Sequence, residues 1–413
     1  MLTGENGILT QAQKAKTETE NAAANEAAIL DEYNKYLNNA VGGGTTEGGS
    51  TGKIDGSWDE EKKVNTPVIK DNMELVKWDG SQFVPDETNS SYDYNNQQWA
   101  NAKVTIDGVE SYFVWIPRYE YKITYYTDEN KETISKTPTT YGTIDIKFIK
   151  TSQTTPTDGY TIHPAFINDV ENGGWDSELP GIWVGKYETS LVKKSDKSDF
   201  SPESATTIDA ETYAITIQPN KTSWRNATID NQYTMAKAYS ANLNSHMLKN
   251  SEWGAVAYLT ESKYGRNGTE VEINDNTSYI IADKNIVENA NQSSTGNTTG
   301  IYDLRGGAYE SVAAYLQGGS TSNGNSLVNE TNKKFVTIYT GTNESTDYKL
   351  GDATYETKKW HSDSAYFVDS YNAFFSRGGY RIDYASYSGV FYYNGSVGDS
   401  YEADSFRMCL AVK

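Results

Sequence analysis

Residues 374–413 read FFSRGGYRIDYASYSGVFYYNGSVGDSYEADSFRMCLAVK, and two kinds of segment alternate in them. Phe374, Phe375, Val390, Phe391, Phe406, Met408, Leu410 and Val412 form short apolar runs of the kind that make buried strands. Between them, 380–388 and 392–404 are dominated by Tyr, Ser, Asp, Asn and Gly. Binding loops favour these types, because Tyr offers large amphipathic area at low entropic cost while Ser, Gly and Asn adapt their hydrogen bonding. The pattern predicts a strand frame that carries exposed loops. Candidate contact residues in the first loop are Tyr380, Arg381, Ile382, Asp383, Tyr384, Ser386 and Tyr387. Those in the second are Tyr392, Tyr393, Asn394, Ser396, Asp399, Ser400, Tyr401, Glu402 and Asp404. Tyr384, Tyr387, Tyr392, Tyr393 and Tyr401 would be aromatic anchors and Arg381 the cationic contact. Arg377 and Arg407 are assigned to the frame. The block extends back to about Trp360, so 360–405 is taken as one unit. The plainer reading is a surface that is simply rich in tyrosine.

Upstream, the landmarks are strands and then helices. Residues 112–117 (YFVWIP) form a strand candidate ended by proline, 119–126 alternate, and Ile144, Ile146 and Phe148 alternate again. A turn is expected at Thr157-Asp-Gly159. Residues 181–188 (GIWVGKYE) read as a strand, 233–243 as a helix with Met235, Tyr239 and Leu243 on one face, and 248–259 as a second helix. Asn250 or Ser251 could cap that helix, and Gly265 would close it. Residues 195–231, 266–299 and 318–359 are rich in Asn, Thr, Ser and Gly and read as long loops or insertions.

At the other end, 1–40 are Ala-, Glu- and Lys-rich with an intermittent helical stripe, which predicts an exposed helical stalk. Residues 41–55 contain GGGTTEGGSTG and read as a flexible linker. The organisation expected is stalk 1–40, linker 41–55, a β-rich region 56–155, and a final domain 156–413.

The 413 residues carry a formal net charge of −20, so no nucleic-acid or anionic-membrane partner is favoured electrostatically. The one cysteine, Cys409, lies in an apolar run and reads as a structural thiol. His163, His246 and His361 are separated widely, and no nucleophile motif, metal-ligand spacing or phosphate loop is present. No catalytic residue, metal or cofactor is therefore expected.

Four motifs in order add a resemblance: Lys186-Tyr-Glu188, Asn250-Ser-Glu-Trp253, Ile301-Tyr-Asp-Leu304 with Glu310, and Arg377-Gly-Gly379 with Ser405-Phe-Arg407. Together they resemble the sulfatase-modifying-factor (formylglycine-generating-enzyme-like) branch of the C-type-lectin fold, over 181–412. The resemblance implies an α+β fold of that type with long insertions. Catalytic members use a cysteine pair or a histidine-rich iron site, and this chain has neither. The pattern instead resembles the variable proteins of diversity-generating retroelements, whose terminal block alternates fixed frame residues with diversified positions. The opening residues resemble the segment that follows the membrane-spanning part of type IV pilin-like proteins.

What the resemblance implies is a non-catalytic, cell-surface binding protein whose ligand is a protein or glycan on another cell or phage. Its membrane link would be an apolar helix of about 20 residues upstream of Met1, and pilus-like assembly could proceed through the N-terminal helix. The alternatives are a formylglycine-generating-type oxidase, or a minor pilin or adhesin without a diversified site.

Overall fold

Alternating apolar and polar side chains build the first half of the head. The strand Gly142–Phe148 turns Gly142, Ile144 and Ile146 inward while Thr143, Asp145 and Lys147 face water. It pairs antiparallel along Tyr119–Tyr126. The strand Val109–Pro117 is buried throughout its second half, and it sits centrally in a seven-stranded sheet. A strand covered on both faces reads as a continuous apolar run, as YFVWIP does. The structure is a computed structural model and describes residues 52–282, 286–382 and 387–413. The expected stalk, most of the linker, and Asp383, Tyr384 and Ser386 lie outside the described residues.

The seven-stranded sheet joins regions that the sequence kept apart. Val109–Pro117 pairs with Gly181–Gly185, which in turn pairs with Met408–Leu410 near the C-terminus. The β-rich region 56–155 and the final domain 156–413 therefore share one sheet and one hydrophobic core. Residues 51–413 form one compact unit. The fold class is α+β, mostly sheet with few helices.

The second helix is Asn250–Glu261, and all twelve of its residues are buried. Neither Asn250 nor Ser251 caps it. Lys249 is the N-cap, and Glu252 in the first turn reaches back to accept from the Lys249 amide at 2.9 Å. The helix ends at Glu261, before Gly265. The first helix begins at Ile229, where the Thr228 side chain accepts from Asn231, and stops at Ala238. Residues 241–243 form a separate 3-10 turn, so the expected helix 233–243 is shifted towards its N-terminal cap. The strand expected over 181–188 ends at Gly185.

The presumed insertions are partly structural. Thr337–Tyr339, inside the Asn- and Thr-rich stretch 318–359, adds a parallel strand to the five-stranded terminal sheet. Tyr213–Thr216 pairs with Ser190–Lys193. The terminal sheet also contains Tyr309–Leu316, Phe374–Gly379, Ser388–Ser396 and Asp404–Phe406. Chain 404–410 leaves this sheet after Phe406 and enters the seven-stranded one at Met408, which ties the two together.

Candidate functional site

The candidate patch grows from a hairpin whose base is fixed by buried charge. Arg377, on the inner strand, is fully buried and donates to Asn250 Oδ1 at 2.9 Å and to the Ala353 carbonyl at 3.0 Å. Burial pulls its guanidinium down to about 10. Arg407 is equally buried and donates to Glu310 and to the carbonyls of Gly185 and Tyr302. Both are therefore frame residues. Gly379 has a positive φ of 80°, and a Cβ there would lie 2.2 Å from the Tyr387 carbonyl oxygen. Only glycine lets the hairpin close this tightly. The Tyr380 amide then donates to the Tyr387 carbonyl at 3.2 Å, and the Arg381 amide to the Gly307 carbonyl at 3.1 Å.

Around Tyr380 the structure gathers aromatic rings and guanidinium groups from distant parts of the chain. Tyr380 lies nearly parallel to Tyr309, with centroids 5.5 Å apart at 16°. Tyr309 also meets Tyr392 at 5.9 Å, and Tyr380 meets Tyr279 at 6.1 Å. Arg225 sits 3.9 Å from the centre of the Tyr279 ring, while Arg381 lies 5.3 Å from Tyr279 and 5.2 Å from Tyr380. Such cation–π contacts are worth about 0.5–1 kcal/mol each at exposed sites, and they hold both partners in place. Arg225 also donates to the Glu402 carbonyl, which ties the second loop to the ladder.

The expected contact residues divide by burial. Ile382, Tyr387, Asp399, Tyr401 and Glu402 are exposed, and Tyr380, Arg381, Asn394, Ser396 and Ser400 are half-buried. Tyr392, Tyr393 and Asp404 are corrections, because all three are buried. The strand Ser388–Ser396 continues through Tyr392 and Tyr393, so these rings belong to the sheet rather than to a loop. Tyr393 is 0% exposed and its hydroxyl donates to Glu344. Asp404 pairs in the sheet opposite Tyr309. Burial, and then the charge of Asp399, push its carboxyl up to about 7.

Sequence reasoning missed Tyr279, Tyr309 and Arg225. Tyr279 and Arg225 come from stretches taken for loops, and nothing local marks either as part of a patch. Tyr309 stands beside Glu310 in a motif already singled out, but neither its strand, Tyr309–Leu316, nor its half-buried ring was read from it.

A layer of buried carboxyls adjoins the patch. Glu188 accepts from Ser223 and from the Ala308 amide at 3.0 Å. Burial, together with Glu310 and Asp303, holds its carboxyl well above the usual range. Asp303 is raised to about 7, chiefly by burial. Arg407 offsets this layer, which explains why its guanidinium is buried where the terminal strands meet.

The widely spaced histidines conceal a second cluster. His246, Glu252 and Cys409 bring their ligand-type atoms within 4.8 Å of one another in the interior. His246 is 2.7 Å from the Asn244 carbonyl through Nδ1 and 2.9 Å from Glu252 through Nε2. The Lys249 ammonium lies 3.6 Å from the same carboxylate. Burial opposes the charge on Glu252, but His246 and Lys249 hold its carboxyl down to about 2. The carboxylate is thus engaged from several sides, and the adjacent ammonium repels a cation. The cluster serves to pin the start of the buried helix. Burial pushes the Cys409 thiol well up, as an unreactive structural cysteine requires.

Among the described residues, no helix is long and apolar enough to cross a membrane. No family model and no curated protein matches the chain.

Proposed function

We propose that this chain is a non-catalytic binding protein, displayed at a cell surface, whose terminal sheet presents a diversifiable tyrosine-rich patch. In this reading the head is a C-type-lectin-type domain of the formylglycine-generating-enzyme-like branch, of the kind found in retroelement variable proteins. One observation carries it: the braced ladder Arg225–Tyr279–Arg381–Tyr380–Tyr309, edged by the exposed Ile382, Tyr387, Tyr401 and Glu402. Tyr279 is itself buried and braces the ladder from beneath. The half-buried Arg225, Tyr309, Tyr380 and Arg381 are ordered before binding and lose little entropy on contact, which is what a recognition surface needs. The exposed edge residues sit on loops, while the side chains that fix the hairpin base are buried away from them. Identity at the edge can therefore change without disturbing the frame. Protein and glycan ligands both suit such a surface.

Support for a binding role over an oxidase role comes from Cys409. It is buried in a strand with its thiol pushed up, far from the chemistry of an activated nucleophile. Cys409→Ala is expected to leave binding unchanged. Oxidation of a substrate cysteine peptide by the wild type, lost in this variant, would favour the oxidase.

The test is a displayed library in which Ile382, Tyr387, Ser400, Tyr401 and Glu402 are each varied among Tyr, Asn, Ser and Asp. Selection against a panel of unrelated purified proteins and glycans should yield binders from a mostly folded population. A library in which most members fail to fold would sink the proposal.

A further inference from the structure

None of the candidate contact residues lines a cavity of about 760 Å³, although one of its walls, 360–366, belongs to the start of the block 360–405. That volume falls within the range of small-ligand sites. One wall comes from the turn region around Lys131 and from Thr140 to Gly142, the other from the segment 358–366.

The second wall is held in an unusual conformation. Lys359, His361 and Ser362 all have left-handed backbone, with φ of 60°, 54° and 69°. Histidine enters this region more readily than most residues, but lysine and serine do not. The surroundings impose it. The Trp360 indole donates to the Thr139 carbonyl at 2.9 Å, and its ring packs where a Cβ on Gly142 would come within 2.1 Å. His361 stacks on Phe391 at 15° and meets Glu261 at 2.9 Å. The Asp363 carboxylate accepts from the Phe391 amide at 3.0 Å. Strained backbone fixed by this many contacts concentrates at ligand sites, where it aims particular side chains.

The cavity gathers Lys131, Lys358, Lys359 and His361 together with Glu129, Glu261 and Asp363, in a chain whose net charge is −20. Lys358 is already paired with Glu344, and His361 with Glu261. Lys131 and Lys359 are exposed, and among the described residues neither makes an ion pair. Of the three acidic liners, Glu261 is taken up by His361 and Asp363 by the Phe391 amide, which leaves Glu129 beside the two lysines. The site therefore suits a ligand of modest charge rather than a polyanion, which the whole chain would repel. The exposed rings of Tyr141 and Tyr366 line the same space. Aromatic faces suit the C–H faces of a pyranose ring, and ammonium groups suit its carboxylate substituents.

We propose that this cleft is a second binding site, for a short saccharide bearing carboxylate groups. Lys131 and Lys359 meet the carboxylates, and Tyr141 and Tyr366 cover the sugar rings. The site shares no lining residue with the tyrosine patch and does not depend on the function proposed for it.

Calorimetric titration of the head with trigalacturonic acid, and in parallel with neutral maltotriose, tests the idea. The informative variant is Lys131→Asn with Lys359→Asn. Both positions have left-handed backbone, which Asn tolerates, so charge is removed without a change of conformation. An unchanged melting temperature would verify this. Trigalacturonic acid should bind at least about tenfold more tightly than maltotriose, and the double variant should lose at least about tenfold of that affinity, roughly 1.4 kcal/mol. The control Ile382→Ser with Tyr401→Ser should bind like the wild type. Equal affinity for the two saccharides, undiminished binding by the double variant, or no binding of trigalacturonic acid up to about 10 mM would overturn the proposal. Preference for a heparin fragment over trigalacturonic acid would also overturn it, by pointing to a polyanion.

Discussion

Tyr393 and Tyr401 belong to the same tyrosine-rich block and meet opposite fates. Tyr393 is 0% exposed, paired opposite Arg377 within the sheet, while Tyr401 is 48% exposed on the edge of the patch. The two arginines near them divide in the same way. Arg377 disappears beneath the hairpin, and Arg381, a few residues on, lies against the faces of Tyr279 and Tyr380. Residue type therefore does not decide which side chains are frame and which are available for contact. Strand register does, because it settles which positions have sheet neighbours on both sides.

The division can be attacked first at its most buried charge. Arg407→Ala would strand Glu310 beside Glu188 and Asp303 without the cation that offsets them. The expected loss is about 3–5 kcal/mol, read from urea unfolding. Phe406→Ala, which opens a cavity where the two sheets meet, should cost about 3–5 kcal/mol by the same measurement. If either variant unfolded at the wild-type midpoint, the terminal strands would not be the frame.

A pH series sharpens the comparison on the Asp404 side. Burial pushes the carboxyls of Asp303, Asp404 and Glu356, the last accepting from Tyr121 and Tyr258, up to about 7 in the folded chain, against ordinary values of 3.8, 3.8 and 4.5. Between those limits the native state holds more protons than the unfolded state. Their contribution to stability is thus complete below about pH 4 and is lost as pH rises through about 7. Glu252, held at about 2, works in the opposite direction, but its contribution is lost only as pH falls from about 4.5 towards 2. His163, held down to about 3 by burial, opposes the trend between pH 5 and about 6.5. Three raised carboxyls outweigh it, so melting temperature should be higher near pH 5 than near pH 8. Asp404→Asn should reduce the pH 5 to pH 8 difference in unfolding free energy by up to about 2.6 kcal/mol. An unchanged slope would mean that Asp404 is not buried as described.

A smaller effect is expected at Gly389, where a Cβ would come within 2.0 Å of both Asp363 carboxyl oxygens. Gly389→Ala should cost about 1–3 kcal/mol through displacement of Asp363. It should leave the ladder contacts intact, which Tyr fluorescence can report.

Much of this architecture was legible in the sequence, and the parts that were not have physical reasons. The strands around Val109–Pro117 and Gly142–Phe148 announce themselves by a continuous apolar run and by alternation, respectively. Arg377 and Arg407 could be assigned to the frame because both stand in the motifs, Arg377-Gly-Gly379 and Ser405-Phe-Arg407, on which the resemblance was drawn. Tyr392 and Tyr393 could have been read correctly too. They extend Val390-Phe391 into an unbroken apolar and aromatic run, the mark of a strand covered on both faces. Their resemblance to loop tyrosines hid it. Asp404 gave no such warning, since a carboxylate beside Ser405 looks solvated until its sheet neighbours are known. The ladder was beyond reach, because Arg225, Tyr279 and Tyr309 meet only through long-range folding. The strained cleft was equally silent, as nothing in Lys-Lys-Trp-His-Ser forecasts three left-handed residues.

The account rests on separability of patch and frame, and one measurement tests that most directly. Ile382→Ser, Tyr387→Asn, Tyr401→Asp and Glu402→Ser are combined in one chain, and its unfolding free energy is compared with wild type and with Phe406→Ala. Exposed positions away from caps and cores usually stay within about ±0.5 kcal/mol each. The combined variant should therefore remain within about 1–2 kcal/mol of the wild type, well above Phe406→Ala. A loss equal to that of Phe406→Ala would show that these residues hold the fold together, and the binding-patch account would fall.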